Sequence, residues 1–480
     1  MSGTDLFYFS PLLLLAASSV LVMLLIILKL SHRAIQLSSL LLFAVSFFSL
    51  FLLQQDLPYF IEPLFVIDSF ALFIMGLIIF SGFVVNILSY IYFEEKEESP
   101  KEYYVLLFLC TLGACVLSVS KHFVSLFLGL EILTVGLYGL ISYLRYRRHN
   151  IEAGIKYLIL AAFSSAFLLF GMALIYLDTG SMEFSTMARN IVELYSLTPI
   201  FLAGLGMILV GLGFKLAVVP FHMWAADVYQ GAPTPVTAFI ATASKAGVLV
   251  VLFRFFVMID SFRFSSVMMI LTFTAIASMV VGNLLALQQR NVKRILAYSS
   301  IAHLGYLLVA FIPGTLLSMH AVSFYLAAYF INILTAFGIL TILSTKDKDA
   351  EEIDDFKALF WKQPILACIF SATLLSLAGI PLTAGFIGKF YILAAGLGGG
   401  YLLTVVVLVL SSVIGLYYYL RIITTMFHGQ EESYIKEKKT LPVFYVVSVL
   451  VLSGLTLLMV WLGLYPSGLM YVIESLQLTN

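Results

Sequence analysis

The sequence predicts an all-α polytopic membrane protein of fourteen transmembrane helices, on three observations. The 480-residue chain is 62% hydrophobic and only 11% charged, with a mean hydropathy of +1.06. Soluble domains average about 25% charged residues, so the bilayer is the natural solvent for this chain. The apolar residues gather into runs of about 20, the length that crosses a hydrocarbon core about 30 Å thick as a helix. The basic residues between those runs sort to one side.

The runs cover 8–29, 35–54, 64–92, 103–119, 122–143, 153–177, 198–219, 233–257, 265–287, 295–312, 318–343, 363–395, 401–426 and 441–465. The first is too long for a cleaved signal, and Asp5 rather than a basic cluster precedes it. With the loop carrying Lys29 and Arg33 placed in the cytoplasm, the inner loops also hold Lys96, Lys101, Arg145, Arg147, Arg148, Arg290, Lys293, Arg294, Lys346, Lys348, Lys357, Lys362, Arg421, Lys436, Lys438 and Lys439. The outer loops hold only Lys121, Arg189, Arg254 and Arg263. The positive-inside rule then puts both termini outside, which requires an even number of spans. The chain is therefore expected to be a multi-pass membrane protein with both termini outside.

Several classes of function fall away. The net charge is zero, which gives no basic field for nucleic acid. Cys110, Cys115 and Cys368 all lie within spans, form no CxxC pair, and read as small core residues. Iron–sulfur ligation needs about four thiolates, and no GxxxxGK[ST] phosphate loop is present. No metal site is expected. The glycines of "GLGMILVGLGF" lie inside a span and read as helix-packing positions.

No soluble domain interrupts the spans, so residues 1–480 read as one membrane domain. The polar stretches 93–102, 344–362 and 429–440 carry mixed charges and read as solvated cytoplasmic loops. Within them "EEIDDFKALF" has the pattern of a short amphipathic surface helix, as does "GSMEFSTMARNIVEL" on the outer side.

Two spans are broken. Pro220 interrupts one, followed by "GAPTPV" at 231–236; Pro381 interrupts the other within "SLAGIPLTAGFIGKFYILAAG". Lipid cannot satisfy the backbone groups a proline frees, so such breaks occur only inside protein or beside water. Interrupted spans in both halves of a chain point to inverted repeats and an ion pathway. Lys215 lies five residues before Pro220, and Lys389 eight after Pro381.

Charges inside the membrane are the sharpest signal. Even lenient scales put each at about 2.5–3.5 kcal/mol at the bilayer centre. Glu131 lies mid-span in "LFLGLEILTVGLYGL", with Thr134 and Tyr138 on its helix face. Lys245 in "FIATASKAGVLVV" has Thr242 and Ala241 one turn earlier. The alternative for these groups, as for Lys215 and Lys389, is a structural ion pair or snorkelling. Lys156 sits near a cytoplasmic span end beside Glu152 and reads as a snorkelling residue. His303 is mid-span, and His222 follows Lys215 by two turns if the helix survives Pro220; a haem would need facing histidines, so a proton-relay or core role fits better. A buried lysine releases its proton readily and holds it when a carboxylate approaches. Such groups with water between them form a switchable proton wire.

The stretches "GFKLAVVPFHMWAADVYQGAPTPVTAFIATASKAG", "NVKRILAYSSIAHLGYLL" and "SLAGIPLTAGFIGKF" resemble the antiporter-like membrane subunits of respiratory complex I, as do "AFSSAFLLFGMALIY" and "IDDFKALF". The resemblance implies two inverted five-helix repeats, spans four to eight (about 103–257) and nine to thirteen (about 265–426), with the seventh and twelfth spans discontinuous. It implies a proton relay of Glu131, Lys215, Lys245 and Lys389, with His222, His303, Tyr325 and Tyr329 as secondary candidates. The eleventh span offers His320 at its outer end, with the two tyrosines further in. By the same resemblance the chain is a non-redox subunit of a proton-translocating NADH:quinone oxidoreductase. It binds no cofactor itself; FMN, iron–sulfur clusters and quinone belong to partner subunits, and its partners are sister antiporter-like and small membrane subunits. A subunit of a multi-subunit cation/proton antiporter or of a membrane-bound hydrogenase shares these motifs. A standalone transporter and a structural scaffold are the remaining alternatives.

Overall fold

The computed structural model describes residues 3–54, 57–96, 100–193, 198–346, 348–429 and 443–478. Its spans, in order, begin with α1 (Ser10–Ile27), α2 (His32–Ser49), α3 (Ser69–Lys96), α4 (Glu102–Val119), α5 (Phe123–Ile141) and α6 (Arg148–Thr179). The seventh is split into α7a (Pro199–Leu216) and α7b (Met223–Gly231). Then come α8 (Thr234–Met258), α9 (Ser265–Leu287), α10 (Val292–Phe311) and α11 (Leu316–Leu343). The twelfth is split into α12a (Pro364–Ala378) and α12b (Ala384–Gly398), followed by α13 (Leu402–Phe427), α14 (Val443–Leu464) and a short C-terminal α15 (Ser467–Glu474). Among the described residues thirteen helices are long and apolar enough to cross a membrane, and the two shorter halves of α12 make the fourteenth span.

The even count brings both ends of the chain to one face, here called the termini face. There Tyr59 donates from its hydroxyl to Asp5, and Gln477 donates from its backbone to Ser69. Strands β1 (Tyr59–Ile61) and β2 (Phe65–Ile67) form an antiparallel hairpin on that face, with Tyr59 opposite Ile67. The fold contains two inverted five-helix repeats. Five is odd, so a second five-span unit enters from the opposite side, and α7 and α12 occupy equivalent places.

Burial orders the helices. The most apolar window of α8 is wholly buried and those of α10 and α11 are 89% buried, whereas α14 reaches only 22%. The centre of the molecule is therefore α8, α10 and α11. Close backbone approach closes the interfaces around it. A Cβ on Gly204 would come within 2.9 Å of the Gly171 carbonyl oxygen, and one on Gly171 within 2.6 Å of that of Gly204. The packing role expected of "GLGMILVGLGF" holds at Gly204 and Gly211, while Gly206 faces open space.

Both breaks keep their backbone satisfied. α7a ends at Ala217 in the left-handed region (φ 60), before a cis Val219–Pro220 bond. The Val219 N–H donates to Ser278 of α9, and the Trp224 indole donates to the Phe214 carbonyl. α12a ends at Gly379 (φ 89) and the chain turns again at Leu382 (φ 71).

Several expectations change. Arg254 is not in an outer loop. It lies within α8, fully buried, in a bidentate pair with Asp68 at 2.6 and 3.0 Å. The guanidinium also donates to the Ser118 carbonyl, tying α3, α4 and α8 together. Cys368 faces outward rather than into the core. The segment "EEIDDFKALF" is a short 3-10 turn (Ile353–Phe356) and a single helical turn (Leu359–Lys362), because Ala358 adopts φ 60 between them. The outer amphipathic helix forms as Phe184–Glu193. Lys436, Lys438 and Lys439 lie outside the described residues.

The loop 344–362 is also less solvated than its charges suggest. On the face opposite the termini, Asp349 is buried and accepts from Tyr92, Lys96, Arg147, Thr234 and Lys293. Burial alone would raise its carboxyl, but the charges and hydrogen bonds of Lys293 and Lys96 carry it well below the usual carboxylate range.

Candidate functional site

The acid and the three lysines singled out in the sequence sit on different helices. α5 presents Glu131, half-buried, and its carboxylate accepts from Ser165 of α6 at 2.7 Å. One turn along the same face, Thr134 accepts from the Lys215 ammonium at 2.7 Å. Lys215 sits in the last turn of α7a, over the Tyr157 ring at 5.6 Å. Among the described residues no ion pair within 4.0 Å joins Glu131 to Lys215. The two share one polar face without touching.

A π turn at Ile240–Ser244 leads directly into Lys245. Such a turn widens the helix and is common at functional sites. It places Thr242 against Ser81 of α3 at 2.8 Å and aims Lys245 at Ser300 of α10, to which its ammonium donates at 2.8 Å. Three residues along α10, His303 hydrogen-bonds through Nδ1 to Tyr325 of α11 and through Nε2 to Tyr419 of α13. The Tyr329 ring packs beside that imidazole, 5.6 Å between centroids.

Lys389 of α12b reaches back across the Pro381 break. Its ammonium donates to the carbonyls of Leu377 and Ala378 at 3.0 and 2.8 Å, the free C-terminal end of α12a. A cation at a helix C-terminus also meets the negative end of the helix dipole. A cavity of about 10 Å³ lies between His303, Tyr325, Tyr329, Asn332 and Lys389, the room of one water. Asn332 is buried and its Oδ1 has no hydrogen-bond partner.

The predicted residues thus form two groups. Glu131 and Lys215 make one with Ser165 and Thr134. Lys245, His303, Tyr325, Tyr329 and Lys389 make the other with Ser300, Tyr419 and Asn332. No hydrogen bond among the described residues joins Lys215 to Lys245. His222 follows the break instead of continuing α7a, and among the described residues no hydrogen bond ties it to either group. Of the hydroxyl partners, Thr134 and Tyr325 were singled out in the sequence, and Ser165, Ser300 and Tyr419 were not. Ser300 carried a usable signal, lying one helical turn before His303. Ser165 did not, because serine is commonplace in a span and its partner is 34 residues away. Among the described residues no group of three or more His, Cys, Asp or Glu could hold a metal ion.

A fourteen-span bundle with two broken helices, and with buried lysines that no acid pairs among the described residues, is the architecture of an antiporter-like membrane subunit. A family model described as NADH:quinone oxidoreductase/Mrp antiporter, TM, matches residues 120–415, and the chain belongs to this family. It is 47% identical to NADH-quinone oxidoreductase subunit N of Nitrosospira multiformis, over 98% of this chain and 96% of that protein. A chain of respiratory complex I from Thermus thermophilus superposes with a TM-score of 0.81 at 30% identity, covering 96% of this chain and 98% of that one. A chain of the Mrp complex from Dietzia sp. DQ12-45-1b shares the fold, with a TM-score of 0.83 at 19% identity over 97% and 96% of the two chains.

Proposed function

We propose that this chain moves protons across the membrane as a subunit of an NADH–quinone oxidoreductase, through a relay of Glu131, Lys215, Lys245 and Lys389. One observation carries the reading. Among the described residues, every other deeply buried cation has an acid within ion-pair distance: Arg254 has Asp68, Lys293 and Lys96 have Asp349, and Lys121 has Glu62. Lys215, Lys245 and Lys389 are equally buried and are held only by hydroxyls or carbonyls. A buried charge without a counter-ion destabilises the fold unless its charge is exchangeable. Structural lysines are paired; these three are poised to exchange a proton.

Glu131 supplies the switch. A carboxylate about 4 Å from an ammonium contributes about 4 kcal/mol at an effective dielectric near 20. Movement of the Glu131 carboxylate toward Lys215 favours the charged lysine, and withdrawal favours proton release. The Lys245–Ser300 contact and the His303–Tyr325 pair then lead toward Lys389, with a water in the cavity beside it as the last link. The repeat boundaries follow α4–α8 and α9–α13. Glu131 is half-buried on this chain alone, and a carboxylate facing lipid is untenable, so a sister membrane subunit covers it. The redox groups belong to partner subunits, and both termini face outward in a bacterial plasma membrane. A cation/proton antiporter subunit is the second reading, favoured by the shared family and by the Mrp likeness; the subunits that co-purify separate the two.

The decisive measurement is proton pumping per electron by the assembled complex in proteoliposomes. Lys245→Ala should leave the complex assembled and lower pumping several-fold. Unchanged pumping in a fully assembled variant overturns the carrier role.

A further inference from the structure

A cavity of about 940 Å³ lies outside the relay, between α2, α3, α11, α14 and α15. Its walls are apolar, formed by residues such as Phe47, Leu50, Leu72, Phe80, Phe330 and Leu462, and among the described residues no charged side chain lines it. At its rim on the termini face stand Gln54, Ser69, Ser475 and Gln477, with Trp461 and Tyr471 exposed beside them. The geometry points to a binding site for one phospholipid of the leaflet on the termini side, its acyl tails in the cavity and its headgroup at the rim.

Depth selects the occupant. Along α3 the lining runs from Ser69 to Phe80, which at about 1.5 Å per residue is about 17 Å. That is one leaflet of a core about 30 Å thick. A neighbouring subunit's transmembrane helix would need the full thickness, so this site fits tails that end at the midplane. Water is disfavoured because the wall offers it almost no hydrogen bonds. The rim fits a headgroup as well as the walls fit tails. Its groups among the described residues are uncharged amides and hydroxyls, which suit a zwitterionic headgroup and provide no cation for an anionic one. Tryptophan and tyrosine there sit where interfacial aromatics prefer to lie. α15 closes the end of the cavity, pinned by the Gln477 backbone N–H to Ser69 at 2.7 Å.

The floor opens at Gly76. A Cβ there would lie 3.7 Å from Leu50 and 3.8 Å from Phe47, ordinary contact distances, so a larger side chain can grow into the space. Ala327 lines the opposite wall.

The test uses the whole complex in its membrane, with a phosphatidylethanolamine carrying a photoactivatable diazirine in mid-chain. Labelled peptides are located by mass spectrometry. Residues 69–80 and 458–462 should label several-fold more than the lipid-facing surface around Phe163 and Phe170 of α6. Gly76→Phe and Ala327→Phe should each cut that excess at least several-fold without changing the α6 signal. The enrichment in the unaltered complex is itself a test should either variant fail to assemble. Equal labelling of cavity and α6 surface overturns the proposal. So does an excess that both variants leave intact, or preferential labelling of these residues by a photoactivatable quinone.

Discussion

Glu131 and Lys215 stand further apart than an ion pair, and that gap makes their coupling testable. If the carboxylate acts through its charge, Glu131→Gln should impair pumping while the complex still assembles, since Ser165 can bond the amide as it bonds the acid. Glu131→Asp should keep part of the activity. Loss of assembly in Glu131→Gln, with normal pumping by whatever complex remains, would reduce the pair to a structural contact. Asp349 is the opposite case. Asp349→Asn leaves Lys96, Arg147 and Lys293 around a neutral group, and breaking a buried pair costs about 3–5 kcal/mol. Its folded-state carboxyl lies well below an unfolded value of about 3.9, so its stabilisation is fully present above that value and fades only as pH falls through the folded one. Thermal melts of the solubilised complex should show a gap between wild type and Asp349→Asn that stays constant from about pH 5 to 8. A gap that closes within that range would disprove this account of Asp349.

At the scale of elements, the seam between α6 and α7a separates two glycines two residues apart. Gly204→Ala forces a Cβ against the Gly171 carbonyl, and overpacking of this kind costs about 1–3 kcal/mol. Gly206→Ala meets nothing within 4 Å and should leave melting of the complex unchanged. Equal melting of the two variants would show that the close approach is not real. The sequence displays both glycines alike, and only their facing differs. The same limit explains which elements could be read in advance. Spans and breaks follow from local chemistry: run length, and prolines that cannot donate. The bidentate partner of Arg254 could not be read, because Asp68 is 186 residues away. Nor could the turn at Ala358, since alanine carries no signal for a left-handed backbone.

For the whole molecule, the sorting of basic loops remains the argument for direction, even with Arg254 removed from the outer side. The loop at 145–149 should face the cytoplasm. Tyr146 is 84% exposed there, so a cysteine at that position reports access without disturbing the Asp349 cluster. Labelling of Tyr146→Cys by an impermeant maleimide in intact cells would reverse the topology. The charged members of the proposed relay stand out in the sequence because a bilayer makes every buried charge conspicuous. Ser165, Ser300 and Tyr419 and the division into two groups do not, since a serine or tyrosine within a span raises no such penalty and pairing depends on how distant helices meet.

The ammonium of Lys389 does more than carry charge: it fastens the two halves of its own helix. With it in place, the carbonyls of Leu377 and Ala378 are held by a cation, and hydrogen bonds to a charged donor are roughly twice as strong as neutral ones. Were the proton to leave, as the proposed relay requires, that latch would slacken, and an electrical event would become a mechanical one at the Pro381 hinge. Hydrogen exchange at residues 379–385 should therefore quicken in Lys389→Met relative to the unaltered complex, and equal rates would mean that the hinge is held shut by packing alone.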